Sequence, residues 1–227
     1  MNYNFFLTSL ILIANNSFNA APVPFDVLKR ILPANPIILE AGGHIGEDTV
    51  WMSEMWPDGQ VHSFEPLPIS MEKLKSAVSS CNNVKLYQLA LSSKKGTMPF
   101  YVADGASSLN RPTDIINQNH FHADLEHPTY VEVTTLDTWA KENNISRIDF
   151  MWLDLEGNEL EALKGGLEIL KTVKLIYTEV NLQPLWHNIP LYPDVKKWFE
   201  EQGFVEIWSD FMPGWNGNVL FYNKNAK

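Results

Sequence analysis

Apolar runs alternate with amphipathic segments along most of the chain beyond residue 35. Runs of Val, Ile, Leu and aromatic residues without polar alternation are typical of strands buried on both faces of a parallel sheet. Apolar residues at helical spacing, such as Met71, Leu74 and Val78, predict helices between these strands. The alternation predicts an α/β fold with a doubly wound parallel sheet. The predicted strands are 36–41, 60–65, 84–90, 148–154 and 173–179, and the predicted helices are 46–55, 68–79 and 194–202, with two more beginning at 136 and after 157.

The middle and the end of the chain depart from this alternation. Strands are expected at 97–102 and 130–134, as an antiparallel pair that flanks the sheet. The polar segment 103–129 between them is long enough to be a functional or mobile loop. The C-terminal runs 203–208 and 218–222 are joined by a short turn, which favours an antiparallel hairpin at one edge of the sheet. We therefore expect a single domain from 36 to 227.

Residues 1–35 form a separate hydrophobic N-terminal segment, whose run from 5 to 14 is too short to cross a bilayer as a helix. The small residues that follow up to Ala21 are typical of a secretory signal, but no basic residue precedes Lys29. A signal peptide, a helix packed on the domain and a peripheral membrane attachment therefore remain alternatives. Without a positive signal region, we expect a cytoplasmic protein.

Composition and charge exclude several function classes. The 227 residues are 45% hydrophobic and 19% charged, as in folded globular proteins. A net charge of −10, from 27 acidic and 17 basic residues, opposes general binding to nucleic acid. The single cysteine, Cys81, excludes an intramolecular disulfide and any metal site made of several cysteines.

Acidic residues end the predicted parallel strands. Glu40, Glu65 and the pair Asp154 and Glu156 all follow apolar runs, at the edge where an α/β sheet binds its ligands. Glycines at 42, 43 and 46 follow Glu40, and glycine lets a backbone turn sharply near a ligand. Glu65 comes about 20 residues after this turn, which is the position of a carboxylate that accepts hydrogen bonds from a ribose. The pattern predicts a nucleotide-like cofactor.

The turn favours one cofactor class over another. A dinucleotide fingerprint requires G-x-G-x-x-G, but Ala41 stands where its first glycine belongs. Glu40 would also repel a diphosphate, whereas a carboxylate suits the ammonium group of S-adenosylmethionine. The residues therefore favour this sulfonium cofactor and disfavour a nicotinamide-dependent oxidoreductase.

Several segments resemble, in order, the FkbM family of methyltransferases, and the resemblance covers about 36–223. The pair made of Phe-Glu-Pro at 64–66 and Asp-Leu-Glu-Gly at 154–157 is its most specific part. The resemblance implies a Rossmann-like, seven-stranded methyltransferase sheet. It also implies methyl transfer from S-adenosylmethionine to a hydroxyl group of a small molecule or glycan. The other matching segments are 38–46, 61–63, 89–91, 107–109, 135–137 and 148–153.

Site residues are carried over from this resemblance by position. Those expected to bind the cofactor are Glu40, Gly42, Gly43, His44 and Gly46 near the methionine end, Glu65 at the ribose, and Gln88 and Ala90 near the adenine. The residues expected to bind the acceptor are Ser108, in one of the matching segments, and three residues chosen by their own positions: Glu179 and Asn181 at the end of a strand, and Trp186 in a loop, where it could stack on a sugar.

Methyl transfer needs alignment and a base for the acceptor's proton. Asp154 and Glu156 are the candidate bases, although Asp154 could instead orient the cofactor and Glu156 could cap the next helix. Glu179 and Asn181 could join Asp154 in an Mg²⁺ site, a less favoured alternative, and no metal is expected. In the middle segment, His120, His122 and His127 with Asp124 and Glu126 are better explained as a polar lid than as metal ligands.

Two positions depart from the family pattern. His44 stands where asparagine is common, and Trp152 stands where lysine is common. If that lysine assists catalysis, its loss favours a second hypothesis, a binding protein that keeps the fold without turnover. The acceptor itself cannot be read from these residues.

Overall fold

The computed structural model describes residues 25–103, 105–118 and 125–226. Its strands are β1 (Ile37–Ala41), β2 (Gln60–Phe64), β3 (Val84–Tyr87), β4 (Ala90–Leu91), β5 (Gly96–Phe100), β6 (Thr129–Thr134), β7 (Phe150–Leu153), β8 (Leu175–Asn181), β9 (Phe204–Phe211) and β10 (Asn216–Asn223). Its α-helices are α1 (Phe25–Ile31), α2 (Glu47–Met55), α3 (Pro68–Ala77), α4 (Asp114–Gln118), α5 (Leu136–Glu142), α6 (Glu159–Lys164) and α7 (Tyr192–Glu201), and a 3₁₀ helix spans Ile169–Thr172.

The central sheet has seven strands in the order β3-β2-β1-β7-β8-β10-β9. The first five are parallel, whereas β10 runs antiparallel to both β8 and β9. The expected mostly parallel sheet with antiparallel C-terminal strands is therefore confirmed. Strand order reverses between β1 and β7, the point at which open α/β sheets form a ligand crevice.

Side chains alternate between the two faces of the sheet because successive residues of a strand point in opposite directions. Leu39 and Met151 pack on one face with α5 and α7, whereas Ile38 and Phe150 pack on the other with α1 and α2. Helix α1 belongs to this second layer because its Leu28 is fully buried there. The expectations for residues 5–21, and those for His120, His122 and Asp124, lie outside the described residues.

The predicted strand 84–90 is wrong in its last part. Strand β3 ends at Tyr87, and Ala90–Leu91 forms β4 in a second sheet of order β4-β6-β5. The predicted antiparallel pair is confirmed as β5 and β6 of this small sheet. The chain leaves the central sheet between Tyr87 and Ala90, and this crossing brings Leu89 and Ala90 to the wall of a cavity.

Candidate active site

A cavity of about 440 Å³ opens at the carboxyl ends of β1, β2 and β7. Its walls combine apolar groups from α3 and β5 with carboxyl groups from the strand ends, and Lys73 contributes a cationic group. The contributions of α3 and β5 were not predicted, since a helix face that lines a cavity has the same apolar spacing as one that packs on a sheet. The lining residues on which the following paragraphs depend are Gly42, His44, Glu65, Ala90, Asp154 and Glu156.

The turn between β1 and α2, residues 42–46, donates most of its backbone N–H groups to acceptors of the protein itself. Gly42 and Gly43 both donate to the Phe64 carbonyl, at 3.0 and 2.9 Å. His44 donates to Glu65 Oε2 at 3.0 Å, and Gly46 donates to the Gly43 carbonyl at 2.8 Å. A diphosphate site needs such groups to point at the ligand. Four N–H groups of this turn are already committed to protein acceptors.

The turn is also packed tightly from within. Gly42 has a φ of 97°, and a Cβ built on it would lie 2.0 Å from the Asp154 carbonyl oxygen. A Cβ on Gly46, whose φ is 96°, would lie 2.9 Å from Leu74 Cδ1. These glycines are thus required by contacts between the turn and its own protein neighbours, and not only by the approach of a ligand.

Glu40 lies behind the turn, away from the cavity wall. Its side chain is buried, and Thr49 Oγ1 on α2 donates to its Oε2 at 2.5 Å. Burial raises the pKa of Glu40 to about 7, opposed by hydrogen bonds from Ser63 and Thr49. Two hydroxyl groups thus hold Glu40 inside the protein and outside the cavity lining, and its expected role at the methionine end of a cofactor stays a prediction.

Glu65 does face the cavity, at the end of β2. Its Oε1 accepts from the Leu67 N–H at 2.8 Å and its Oε2 from the His44 N–H at 3.0 Å. Burial raises its pKa to about 7, against the effect of these two bonds. Both oxygens are therefore fixed in orientation. Ala90 also lines the cavity, whereas Gln88 is exposed outside it.

Three carboxyl groups meet at the ends of β7 and β8. Asp154, Glu156 and Glu179 each place one oxygen so that the three atoms lie within 4.8 Å of one another. Burial raises the pKa of Glu156 and Glu179, and the charge of Asp154, the most exposed of the three, raises both further. Asp154 and Glu156 open onto the cavity, so the cluster forms one end of it.

The loop after β7 is held by groups that the sequence did not single out. Glu159 Oε1 accepts from the N–H groups of Leu155 and Gly157, at 2.8 and 3.2 Å. Glu159, the first residue of α6, therefore holds the preceding loop. The N-cap of this helix is Asn158, without a side-chain hydrogen bond, and not Glu156, which has a φ of 53° and lines the cavity. An acidic residue in the first helical turn was the available signal.

Two residues expected to bind the acceptor are instead fully buried. Ser108 donates to the Glu156 carbonyl at 2.7 Å and accepts from the Asn110 N–H at 3.0 Å, which ties its loop to the acidic cluster. Trp186 packs with Ile116 in a small apolar cluster. In this arrangement its ring has no free face on which a sugar could stack.

Asn181 and Trp152 lie on the same face of the sheet as Glu179. Asn181 is 3% exposed, and its Oδ1 has no hydrogen-bond partner. Trp152 packs against Tyr177, with ring centroids 4.2 Å apart, and lies outside the cavity lining.

Comparison with known proteins identifies the family. Residues 40–206 match the sequence profile described as the methyltransferase FkbM domain. The chain belongs to the FkbM methyltransferase family. The 2-O-methyltransferase NoeI of Sinorhizobium fredii (strain NBRC 101917 / NGR234) is 26% identical over 208 residues, which cover 87% of this chain and 84% of NoeI. The methyltransferase sdnD of Sordaria araneosa is 27% identical over 199 residues, covering 76% of this chain and 75% of sdnD.

Solved structures agree with this family at the level of the fold. The fibrillarin pre-rRNA processing protein of Methanococcus jannaschii superposes with a TM-score of 0.55 at 13% identity, covering 97% of this chain and 75% of that one. An rRNA methylase from Streptococcus thermophilus gives 0.53 at 13% identity, covering 91% and 99%. The FkbM resemblance and the Rossmann-like methyltransferase fold are thus confirmed, while the roles of individual site residues stay predictions.

Proposed function

We propose that this FkbM methyltransferase transfers a methyl group from S-adenosylmethionine to a hydroxyl group of a small molecule or glycan. The observation that carries the proposal is the cavity with Glu65 fixed at one wall and a cluster of carboxyl groups at its end. A carboxylate with fixed oxygens accepts hydrogen bonds from ribose hydroxyls. The 2-O-methyltransferase name of NoeI supports a hydroxyl acceptor.

The chain's residues fit a sulfonium cofactor better than a dinucleotide. The N–H groups of Gly42, Gly43, His44 and Gly46 are all engaged, so none of these four is free to bind a diphosphate. The carboxyl groups at the end of the cavity attract a cationic group and repel the phosphate groups of a dinucleotide. This supports S-adenosylmethionine over a nicotinamide cofactor.

In this mechanism the sulfonium, when bound, supplies an activated methyl group for an in-line displacement. The protein aligns the acceptor oxygen and removes its proton. Asp154 and Glu156 are the candidate proton acceptors, since both open onto the cavity. Burial raises the pKa of Glu156, and a raised pKa makes the ionised carboxylate a stronger base. Either carboxylate would accept the acceptor's proton on an oxygen that faces the cavity.

Trp152 is relevant to the alternative hypothesis, in which the protein keeps the methyltransferase fold but no longer catalyses a reaction. Its ring packs against Trp51 and Tyr177 in the buried layer next to α1 and α2. Because Trp152 does not line the cavity, its replacement of the family's lysine leaves the cavity's carboxyl groups in place. This supports an active enzyme.

Isothermal titration tests the cofactor assignment. We expect S-adenosylmethionine to bind, and Glu65→Gln to weaken it about tenfold or more, because an amide offers one acceptor oxygen where the carboxylate offers two. Glu72→Gln on the exposed face of α3 is the matched control and is expected to bind normally. Transfer of labelled methyl groups to a panel of polyols and glycans then tests the reaction. Tight NAD binding without S-adenosylmethionine binding would overturn the proposal.

A further inference from the structure

His44 lies close enough to Asp154 to favour its ionised form, but the acidic cluster has no lysine or arginine partner in the part of the chain that the structure describes. Among residues 25–103, 105–118 and 125–226, no Lys or Arg forms an ion pair with Asp154, Glu156 or Glu179. Each of the described ion pairs joins other residues. Like charges this close are unfavourable unless protons or a bound cation neutralise them.

The spacing of the three oxygens suits one cation. Ligands on opposite sides of an ion are separated by twice the metal–oxygen distance, about 4.2 Å for Mg²⁺ and about 4.6–5.2 Å for Ca²⁺. The three oxygens lie within 4.8 Å of one another. A single ion can therefore contact all three, with a small inward movement of the side chains in the case of Mg²⁺. An all-oxygen ligand set favours such hard cations over zinc or copper.

Asn181 supplies an independent observation. The residue is only 3% exposed, and its Oδ1, an acceptor, has no hydrogen-bond partner among the residues that the structure describes. Asn181 lies two residues after Glu179 on β8, so both side chains lie on the same face. Asn216 lies directly opposite Asn181 on β10, and its side-chain amide donates to Glu179 Oε1. A buried amide oxygen without a donor, on the same strand face as Glu179 and two residues from it, is a candidate fourth ligand.

We propose that Asp154, Glu156, Glu179 and Asn181 bind a divalent cation, Mg²⁺ or Mn²⁺, at the end of the cavity. The proposal rests on the proposed function, because the cation would contact the hydroxyl group of the acceptor that receives the methyl group. Contact with a divalent ion lowers the pKa of a hydroxyl group and orients it. The acceptor's proton passes to a carboxylate oxygen that does not contact the ion. Coordination positions of the cation that the protein leaves free would be filled by two neighbouring hydroxyl groups of the acceptor. The site would therefore select a diol.

Titration with Mn²⁺, followed by electron paramagnetic resonance, tests the site without requiring activity. We expect one equivalent to bind to the full chain, and Asn181→Ala and Glu179→Gln to weaken binding about 10- to 100-fold. Asn181→Asp keeps an oxygen ligand and is expected to retain binding, which separates a ligand role from a folding role. Glu200→Gln, on the exposed face of α7, is the control.

The outcomes separate this inference from the proposed function. Absence of stoichiometric Mn²⁺ binding, or equal affinity in the wild type, Asn181→Ala and Glu179→Gln, overturns the cation site. Methyl transfer that continues unchanged in EDTA also overturns it, while leaving the methyltransferase proposal intact. Stoichiometric Mn²⁺ binding without any S-adenosylmethionine binding supports the site and overturns the proposed function.

Discussion

Glutamates of this chain with the same raised pKa are held in different places. Glu40, Glu65 and Glu159 each have a pKa raised by burial to about 7. Glu40 is held by hydroxyl groups behind the turn, Glu65 faces the cavity, and Glu159 accepts from the backbone before α6. The partners of each carboxyl group, and not its position at a strand end, decide its role.

Glu40→Gln is expected to change how stability depends on pH. The pKa of Glu40 rises from 4.5 in the unfolded chain to about 7 in the folded protein. Its stabilising contribution is therefore present below pH 4.5 and is lost as pH rises through 7, a change of about 3 kcal/mol. Glutamine does not ionise, so the variant should lose less stability between pH 5 and pH 8.

Urea unfolding at pH 5 and pH 8 measures this difference. Glu65 and Glu159 titrate in both proteins, so their effects cancel in the comparison. Glu72→Gln serves as an exposed control that should follow the wild type. Parallel pH profiles for the wild type and Glu40→Gln would contradict the assignment. Because Glu40 is behind the turn, S-adenosylmethionine affinity should change less than about threefold.

At the scale of elements, the β1–α2 turn depends on its glycines for packing. The Asp154 N–H donates to the Ala41 carbonyl at 2.9 Å, and Gly42 contacts the Asp154 carbonyl closely. The ends of β1 and β7 are thus locked together beneath the cavity. A substitution at this contact should therefore lower the stability of the fold, and not only the affinity for a ligand.

Gly42→Ala is expected to destabilise the protein by about 3 kcal/mol or more. A Cβ there would lie 2.0 Å from a backbone oxygen, and a positive φ adds strain. Gly214→Ala is the matched control, because Gly214 also has a positive φ, of 73°, but nothing lies within 4 Å of its Cβ. We expect it to cost about 1 kcal/mol. Thermal unfolding of both variants checks the prediction, and equal losses would refute the packing argument.

The sequence predicted elements better than it predicted side-chain environments. Apolar runs located every strand of the central sheet, and most directly the inner strands β1, β7 and β8, whose burial on both faces leaves continuous apolar sequence. The break between Tyr87 and Ala90 was missed, since an apolar run continues there while the chain changes sheets. The surroundings of Glu40 and Trp186 could not be predicted, because Thr49, Ser63 and the apolar cluster that holds Trp186 are brought to them only by tertiary folding.

At the scale of the whole molecule, the core extends beyond the family match. The match spans 40–206, yet Leu28 of α1 and Phe221 of β10 are fully buried in the layers that cover the sheet. Among the described residues no helix is long and apolar enough to span a bilayer. The fold shared with fibrillarin and an rRNA methylase concerns the architecture alone, since identity to each is 13%.

The net charge of −10 predicts that this chain does not bind RNA generally, despite that shared fold. Affinity for a polyphosphate arises from cations that displace its counterions, and non-specific binding has a Kd of about 10⁻⁴ to 10⁻⁶ M at physiological salt. The chain has 17 basic against 27 acidic residues, and its cavity ends in a cluster of carboxyl groups. Fluorescence anisotropy with labelled single-stranded and hairpin RNA at about 0.15 M salt should give a Kd weaker than about 10⁻⁴ M. Micromolar binding that weakens steeply with added salt would contradict this prediction and favour a nucleic-acid acceptor over a small one.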